Sequence, residues 1–268
     1  MVQHEAGRDK CLPRIARIES LSHRIIGLLN YHALAMAFSS PQTLLIDADD
    51  TLWENNIYFE RAVADFTSFL NHHEFTPEQV REKLNDVQRE CIRKQGYGLN
   101  SFVQSLVDTF EHLSVEPLTP ALHETIHGFA RAIAEHPIEI IPGVEDTLAY
   151  LSSRHRLIIV TKGDPREQSG KINRSGLQRH FQSVEIVAEK DTPAYMTIVQ
   201  KHNLQRGLTW MVGNSPKSDI NPALLAGLHA VFVPHDNTWI LEHEELCQPP
   251  ESCRLLVLER FTQLCENF

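Results

Sequence analysis

The chain has 268 residues, of which 42% are hydrophobic and 22% are charged, a composition typical of a globular protein with a large buried core. Acidic residues outnumber Lys and Arg by 35 to 25, so the net charge is −10, which argues against a general binder of nucleic acids or anionic membranes. The five cysteines form no CxxC pair, and no apolar run reaches the roughly 18–20 residues of a membrane span. We therefore expect a cytoplasmic protein with neither nucleic-acid nor membrane partners, and the composition leaves the oligomeric state open.

The first 35 residues differ from the rest because they carry five Lys and Arg residues against three acidic ones. Their apolar residues recur near helical spacing, which predicts an amphipathic helix. We interpret residues 1–41 as an N-terminal extension, helical or disordered. Glu5, Asp9 and Glu19 argue against a mitochondrial presequence, which is poor in acidic residues.

The first strand is predicted at residues 43–48 (TLLIDA), and the next 85 residues, 57–141, are predicted to be helical with intervening loops. The segment TPEQ, which begins at Thr76, has the pattern of a capping box with proline at the first helical position. Further helices are predicted over residues 100–114 and 119–135. This block shows no alternation of apolar and polar residues, so it contributes no strand to the predicted sheet.

From Pro142 onward, short β-branched runs alternate with helical segments. The predicted strands lie at residues 156–161, 183–188, 208–213 and 229–234, and the predicted helices at 144–153, 165–175, 193–203 and 218–227. This alternation implies a doubly wound α/β fold, in which helices flank a parallel sheet. We expect an α/β core from residues 42–56 and 142–268, with the all-helical block 57–141 inserted as a separate module.

Polar residues follow four of the predicted strands. Asp47 and Asp49 follow the first strand, Thr161, Lys162 and Gly163 the second, Lys190 the third, and Asn214 and Asp219 the fourth. The carboxyl ends of parallel strands meet at one edge of the sheet, where ligands bind. Carboxylates, a hydroxyl and a lysine at that edge suit a divalent cation together with a phosphate, and hard oxygen ligands favour Mg²⁺.

The same four segments resemble the motifs of the haloacid dehalogenase superfamily, in order. LLIDADDTLW resembles its hhhDxDxT motif, LIIVTKG its threonine motif, VAEKDTPAY its lysine motif, and VGNSPKSDINPALLAG a variant of its GDxxxxD motif. The resemblance covers about residues 42–56 and 142–235. It implies that the helical block between them occupies the position of the helical C1 cap.

The resemblance implies a role for each strand-end residue. Asp47 is the expected nucleophile, which forms an aspartyl-phosphate, and Asp49 is the expected general acid and base. Thr161 and Lys190 are expected to bind the phosphoryl oxygens. The expected ligands of Mg²⁺ are Asp47, the backbone carbonyl of Asp49, Asp219 and Asn214.

Two departures from the motifs leave alternatives open. Asn214 replaces an aspartate, which keeps an oxygen ligand but removes one negative charge. Lys162 stands where asparagine is frequent; either it adds positive charge near the phosphate or it points to solvent. Gly163, the next residue, is also expected to bind the phosphate or substrate. In the glycine-rich loop 94–100, Tyr97 either contacts the leaving group or lies between glycines that merely separate two helices.

Asp49 favours phosphate esters over halogenated substrates, because halide leaves without a proton and the family's dehalogenases lack an acid there. We therefore expect Mg²⁺-dependent hydrolysis of a small phosphorylated metabolite. A phosphoryl-transferring mutase and a non-catalytic binding protein of the same fold are the alternatives. His123 and His127 form a literal HExxH pattern, but it lies in the helical block and lacks further zinc-site residues, so we interpret it as a solvated helix face.

Overall fold

The computed structural model describes residues 40–70 and 74–268, so the predicted N-terminal extension lies outside the described residues except for its last two positions. Six parallel strands form one sheet in the order β3-β2-β1-β4-β5-β6. The strands are β1 (Thr43–Ile46), β2 (Arg156–Lys162), β3 (Ser183–Val187), β4 (Thr209–Gly213), β5 (His229–Phe232) and β6 (Leu255–Val257). The structure confirms the predicted α/β class and parallel sheet.

The central strand β1 is buried on both faces. Leu44 and Ile46 point to one face, where they join a cluster with Leu148, while Leu45 points to the other face and packs with Tyr195. This two-sided burial follows from the alternation of side chains along a strand and requires helices on both faces. Each fully buried Leu or Ile side chain here contributes roughly 1.5–3 kcal/mol of hydrophobic stabilisation.

Helices occupy the chain segments between the strands and after the last strand. Between β1 and β2 lie α1 (Asn56–Leu70), α2 (Pro77–Gln95), α3 (Leu99–Leu113), α4 (Pro120–Glu135) and α5 (Val144–Ser152). The later helices are α6 (Pro165–Ser175), α7 (Thr192–Lys201), α8 (Asn221–Leu225) and α9 (Leu264–Asn267). Among residues 40–70 and 74–268, no helix combines the length and the apolar character that crossing a membrane requires.

Helices α1 to α4 bury their own apolar cluster, which includes Phe66, Leu84, Leu106 and Ile126. The predicted capping box is present at the start of α2: the Thr76 side chain accepts from the backbone of Gln79, and the Gln79 side chain accepts from the backbone of Thr76. Because this cluster is distinct from those on the sheet, the helices pack as a layer of their own beside the carboxyl end of β1.

The sequence analysis missed β6 and placed one helix start wrongly. β6 is only three residues long and pairs with β5, so it lacks the alternation by which the other strands were found. The predicted helix 218–227 starts too early. Residues Pro216–Ile220 form a π-helical turn, and α8 begins at Asn221. This turn follows β4 directly and carries Asp219.

Candidate active site

Asp47 follows β1, and its backbone N–H donates to the carbonyl of Val212 at 2.9 Å, which fixes it to the end of β4. The residue is 5% exposed. Its Oδ2 accepts from the Thr51 hydroxyl at 2.9 Å, and its Oδ1 accepts from Nζ of Lys190. The carboxylate is therefore held in one orientation at the predicted edge of the sheet.

Lys190 connects Asp47 to Asp219, because its Nζ also donates to Oδ1 of Asp219 at 2.7 Å. Burial alone would lower the pKa of Lys190, but the two carboxylates outweigh it and raise that pKa, so the ammonium form persists. Burial, followed by repulsion from Asp47, raises the pKa of Asp219 to about 7, although Lys190 opposes the shift. Two carboxyl groups and one ammonium group thus share a space that excludes water.

The turn after β4 shapes this cluster. Asp219 is fully buried, and its Oδ2 accepts from the backbone N–H of Ser215 at 2.9 Å. A Cβ atom on Gly213 would lie 2.3 Å from that same oxygen, so only glycine leaves room for the carboxylate. Asn214 Oδ1 lies 3.3 Å from the Thr51 hydroxyl, beside Asp47, and its Nδ2 donates to Thr238 at 3.0 Å. Strand-end residues 47, 214 and 219 are therefore brought together.

Asp49 lies in a separate polar environment in the same cavity. Its carboxylate accepts from Nζ of Lys171 at 2.7 Å and from Nε2 of Gln168 at 2.9 Å, both on α6, and from Nε1 of Trp53 at 2.8 Å. Burial alone would raise the pKa of Asp49, but Lys171 and the other donors outweigh it and lower that pKa. Sequence reasoning missed Lys171 and Gln168. Their i, i+3 spacing on the helix that follows the Thr161 strand was the available signal.

The end of β2 supplies the predicted phosphate-binding residues. Thr161 is 1% exposed and lines the cavity, with its backbone in register with Ile186 of β3. Gly163 has φ +134°, a conformation that side-chain-bearing residues rarely adopt, and a Cβ atom there would lie 3.1 Å from Nε2 of Gln168. The glycine thus allows the chain to turn while Gln168 reaches Asp49.

The side chain of Lys162 forms a buried network rather than pointing to solvent. Its Nζ donates to Oε1 of Glu242 and to the Ser218 hydroxyl, both at 2.7 Å, and to Glu189 at 3.2 Å. Burial opposes the charge, but Glu242 above all raises the pKa of Lys162. Glu242, which the sequence analysis missed, also accepts from the Ser215 hydroxyl at 2.7 Å. Phosphate binding by Lys162 stays a prediction.

Tyr97 lines the cavity and lies between two glycines that separate helices, so its contact with the leaving group stays a prediction. Gly96 ends α2 and Gly98 precedes α3, both with positive φ. Between them, the Tyr97 hydroxyl donates to Glu189 at 2.8 Å, and Lys162 Nζ lies 4.2 Å from the centroid of its ring. Burial first, and Glu189 further, raise the pKa of Tyr97 to about 12 against the opposing charge of Lys162, so the hydroxyl stays protonated.

One cavity of about 190 Å³ brings the predicted site residues together between the sheet edge and helices α1 to α3. The predicted residues that line it are Asp47, Asp49, Tyr97, Thr161, Lys162, Gly163, Lys190, Asn214 and Asp219. The geometry places a carboxylate able to attack (Asp47), a second carboxylate able to exchange a proton (Asp49) and a buried ammonium group (Lys190) at one edge.

The HExxH segment lies on α4, outside this cavity. The rings of His123 and His127 are 4.3 Å apart, and Glu124 is paired with Arg131 at 2.6 Å. Within the described part of the chain, neither histidine joins a cluster of metal-ligating residues.

Such a cluster does form at Asp50, Glu54 and His235, but protein groups already bind its members. Asp50, with φ 59°, accepts from the backbone N–H groups of Asn55 and Asn56 at 2.9 Å, which fixes the start of α1. His235 Nδ1 accepts from the backbone N–H of Asn237, which leaves Nε2 to donate to the Glu54 carboxylate.

The chain is similar to known proteins both in sequence and in fold. The family model of haloacid dehalogenase-like hydrolases matches residues 41–227. A haloacid dehalogenase-like family hydrolase from Xanthomonas campestris is 26% identical with a TM-score of 0.71, and the match covers 84% of this chain and 93% of that one. Comparison with curated proteins gives no match.

Two more distant structures share the fold. The HAD hydrolase YfnB from Bacillus subtilis, bound to magnesium, is 17% identical with a TM-score of 0.60, and L-2-haloacid dehalogenase from Xanthobacter autotrophicus is 14% identical with a TM-score of 0.57. Each match covers 84% of this chain and 97% of the other.

Proposed function

We propose, from the premise that the chain belongs to the haloacid dehalogenase-like hydrolase family, that it hydrolyses a phosphate monoester of a small molecule in a reaction that depends on Mg²⁺. The observation that carries this proposal is the Asp49 carboxylate, which Lys171, Gln168 and Trp53 hold in the cavity that also contains Asp47. A carboxyl group in that position is what an alkoxide leaving group requires and what a halide does not.

In the first step, an oxygen of Asp47 attacks phosphorus while the bond from phosphorus to the ester oxygen breaks, and the departing oxygen takes a proton from Asp49. Lys190 and Thr161 bind the phosphoryl oxygens, where charge develops. Lys171 favours the carboxylate form of Asp49 in the free enzyme. A phosphate dianion beside Asp49 opposes that preference and favours the protonated form that the first step needs.

In the second step, Asp49 accepts a proton from water, whose oxygen attacks the phosphorus of the aspartyl-phosphate. The bond from phosphorus to Asp47 breaks, inorganic phosphate leaves, and the Asp47 carboxylate is restored. The low pKa that Lys171 gives Asp49 suits this step, because only the carboxylate form can accept the proton.

The residues at the sheet edge fit a magnesium ion. Asp47, Asp219, Asn214 and the backbone carbonyl of Asp49 supply hard oxygen ligands, and Gly213 makes the room in which the Asp219 carboxylate lies. Two carboxyl groups face the single ammonium of Lys190, and a bound cation would favour the carboxylate form of Asp219, whose pKa burial and Asp47 raise to about 7. Mg²⁺ bound there would offset the charge of the phosphate and of the nucleophile. The magnesium-bound Bacillus subtilis neighbour supports this choice of ion.

A dehalogenase is the second candidate, since one structural neighbour is an L-2-haloacid dehalogenase. In that reaction the Asp47 carboxylate would attack carbon and displace the halide. The halide leaves without a proton, so Asp49 would have no leaving group to protonate. A phosphomutase would use the same residues as the phosphatase, but would pass the phosphoryl group to a second substrate hydroxyl in place of water.

The test is to measure phosphate release from 4-nitrophenyl phosphate with and without Mg²⁺, and chloride release from 2-chloropropionate, for the wild type and Asp47→Asn. Asp65→Asn, on the exposed face of α1, is the matched control. We expect Mg²⁺-dependent phosphate release that Asp47→Asn abolishes and Asp65→Asn preserves. Chloride release without phosphate release would favour the dehalogenase, and phosphate release unaffected by Asp47→Asn would overturn the mechanism.

A further inference from the structure

The wall of the cavity opposite the sheet edge is formed by helices α1 to α3, and its described part carries four apolar side chains beside its polar ones. Phe59 and Val63 on α1, Ile92 on α2 and Phe102 on α3 line it. The rings of Phe59 and Phe102 meet edge to face, with centroids 5.0 Å apart. An aromatic or other flat apolar group can pack against such a pair of rings on its cavity side.

The charges on this wall cancel. Among the described residues that line the cavity, Arg81 is the cation contributed by the helices, and both of its terminal nitrogens bind Glu60, at 2.6 and 2.7 Å. Its Nε donates to Asn85 at 3.2 Å. A bidentate pair of this kind leaves little positive charge for a ligand. An anionic group on this side would lose its hydration without gaining a counter-ion.

Two uncharged polar side chains lie on this wall, and one of them, Ser101, lacks a hydrogen-bond partner among the described residues. Ser101 is 5% exposed, and its hydroxyl has no hydrogen bond, whereas Ser105 and Thr109 on the same helix each donate to a backbone carbonyl. Gln88 on α2 is 8% exposed and also lines the cavity. A buried hydroxyl without a partner destabilises the empty site, so a ligand that supplies a partner binds better than a wholly apolar ligand.

The size of the cavity limits what it holds. One water molecule needs roughly 10–15 Å³ of such space, so about 190 Å³ accommodates on the order of a dozen non-hydrogen atoms. That is enough for a phosphate ester with a single ring, and too little for a folded protein substrate.

Resting on the phosphatase function proposed above, we infer that the substrate's leaving group is an uncharged, ring-bearing alcohol. Its ring would pack against Phe59 and Phe102, and its hydrogen-bonding substituent would contact Gln88 and Ser101. Esters whose leaving group carries a carboxylate or a second phosphate are poor substrates, because Arg81, the cation of this wall, is already paired with Glu60.

The test compares two esters of nearly the same shape, 4-carbamoylphenyl phosphate and 4-carboxyphenyl phosphate, by kcat/KM. We expect the wild type to prefer the uncharged amide by at least tenfold. Gln88→Lys adds a cation to the wall and should lower that preference at least tenfold by improving the carboxylated ester. Gln95→Lys makes the same change at the exposed end of α2 and should leave the ratio unaltered.

Each result decides between the two claims. Equal hydrolysis of both esters, or preference for the carboxylate, overturns the inference about the leaving group and leaves the phosphatase function standing. Hydrolysis of neither ester, nor of 4-nitrophenyl phosphate, overturns the phosphatase function and this inference with it. A folded Gln88→Lys protein with an unchanged ratio removes Gln88 from the proposed contact. The wild-type ratio requires no variant, so it remains decisive if Gln88→Lys fails to fold.

Discussion

The two walls of the cavity differ in their chemistry. On the sheet side, Lys190 and Lys171 each bind carboxylates, and every one of these groups follows a strand or lies on the helix after one. On the helical side, four apolar side chains of the described residues line the cavity and Arg81 is neutralised by Glu60. Under the proposed function, the sheet edge performs the reaction and the helices select the leaving group. The two sides should therefore respond differently to substitution.

The largest expected effect is on the sheet side. Lys190→Met leaves Asp47 and Asp219 without their shared cation and removes a donor to the phosphoryl oxygens, so kcat for 4-nitrophenyl phosphate should fall by roughly 10²–10³-fold. Lys94→Met, on an exposed lysine of α2, is the control and should retain full activity. A Lys190→Met protein with normal kcat would contradict the proposal that the reaction takes place at the sheet edge.

Phe102→Ala tests the helical side. The side chain is 5% exposed and packs against Phe59, so its removal should cost about 3 kcal/mol in the free energy of unfolding, at the low end of the range for buried phenylalanine because the cavity already adjoins it. For 4-carbamoylphenyl phosphate, KM should rise more than kcat falls. Urea unfolding and steady-state kinetics measure the two effects, and Phe102→Leu should show smaller changes in both. A large fall in kcat at constant KM would contradict the proposal that the helices select the leaving group without taking part in the reaction.

Glu242→Gln weakens the network that closes the sheet side. It removes the strongest partner of Lys162, which keeps Glu189, so the expected cost is about 2 kcal/mol, less than the ~3–5 kcal/mol for breaking a wholly buried pair. Burial opposes the shift, but Lys162 lowers the pKa of Glu242 in the folded state. Its stabilising contribution is therefore present above the unfolded pKa of about 4.3 and is lost as the pH falls through the lower folded pKa.

Urea unfolding at pH 7 and at several values below pH 4 measures this contribution. The stability difference between the wild type and Glu242→Gln should be constant near neutrality and shrink in acid. Glu82→Gln, at an exposed position of α2, should show no such difference. A difference that grows as the pH falls would have the wrong sign for a carboxyl group of lowered pKa.

The smallest expected effect is that of Thr76→Ala, which removes the hydroxyl of the capping box at the start of α2 and should cost about 1 kcal/mol. Because Thr76 is remote from the sheet edge, kcat should not change. Thermal unfolding and activity assays on the same sample check both statements. A loss of kcat would mean that the helical layer and the sheet edge are more tightly coupled than their separate apolar clusters suggest.

The sequence predicted the sheet edge better than it predicted the partners of its residues. Asp47, Thr161, Lys190 and Asp219 could be assigned to one site because parallel strands end at one edge, so position along the chain determines position in space. The capping box at Thr76 could also be predicted, because Thr76 and its partner Gln79 are three positions apart in the chain. These features depend on residues a few positions apart or on the period of a strand.

The features that were missed depend on contacts between distant segments. Lys171 reaches Asp49 across 122 positions of the chain, and Glu242 reaches Lys162 across 80. Such pairings follow from how helices and loops pack, which no local pattern records. The segment that carries Glu242 has no strand or helix period, and β6 is too short to show one. Lys162 illustrates the consequence, since its ion pairs with Glu189 and Glu242 could not be predicted from the residues around it in the chain.

The central claim is that a carboxylate on Asp47 accepts the phosphoryl group and that Asp49 assists its removal. The most direct measurement is the covalent label left on the protein after acid quenching of a reaction with 4-nitrophenyl phosphate that carries radioactive phosphate. We predict label on the wild type, none on Asp47→Asn, and more label on Asp49→Asn, because 4-nitrophenolate leaves without a proton whereas hydrolysis of the intermediate still needs the base. Label on Asp47→Asn, or turnover by Asp47→Asn without label, would contradict the claim.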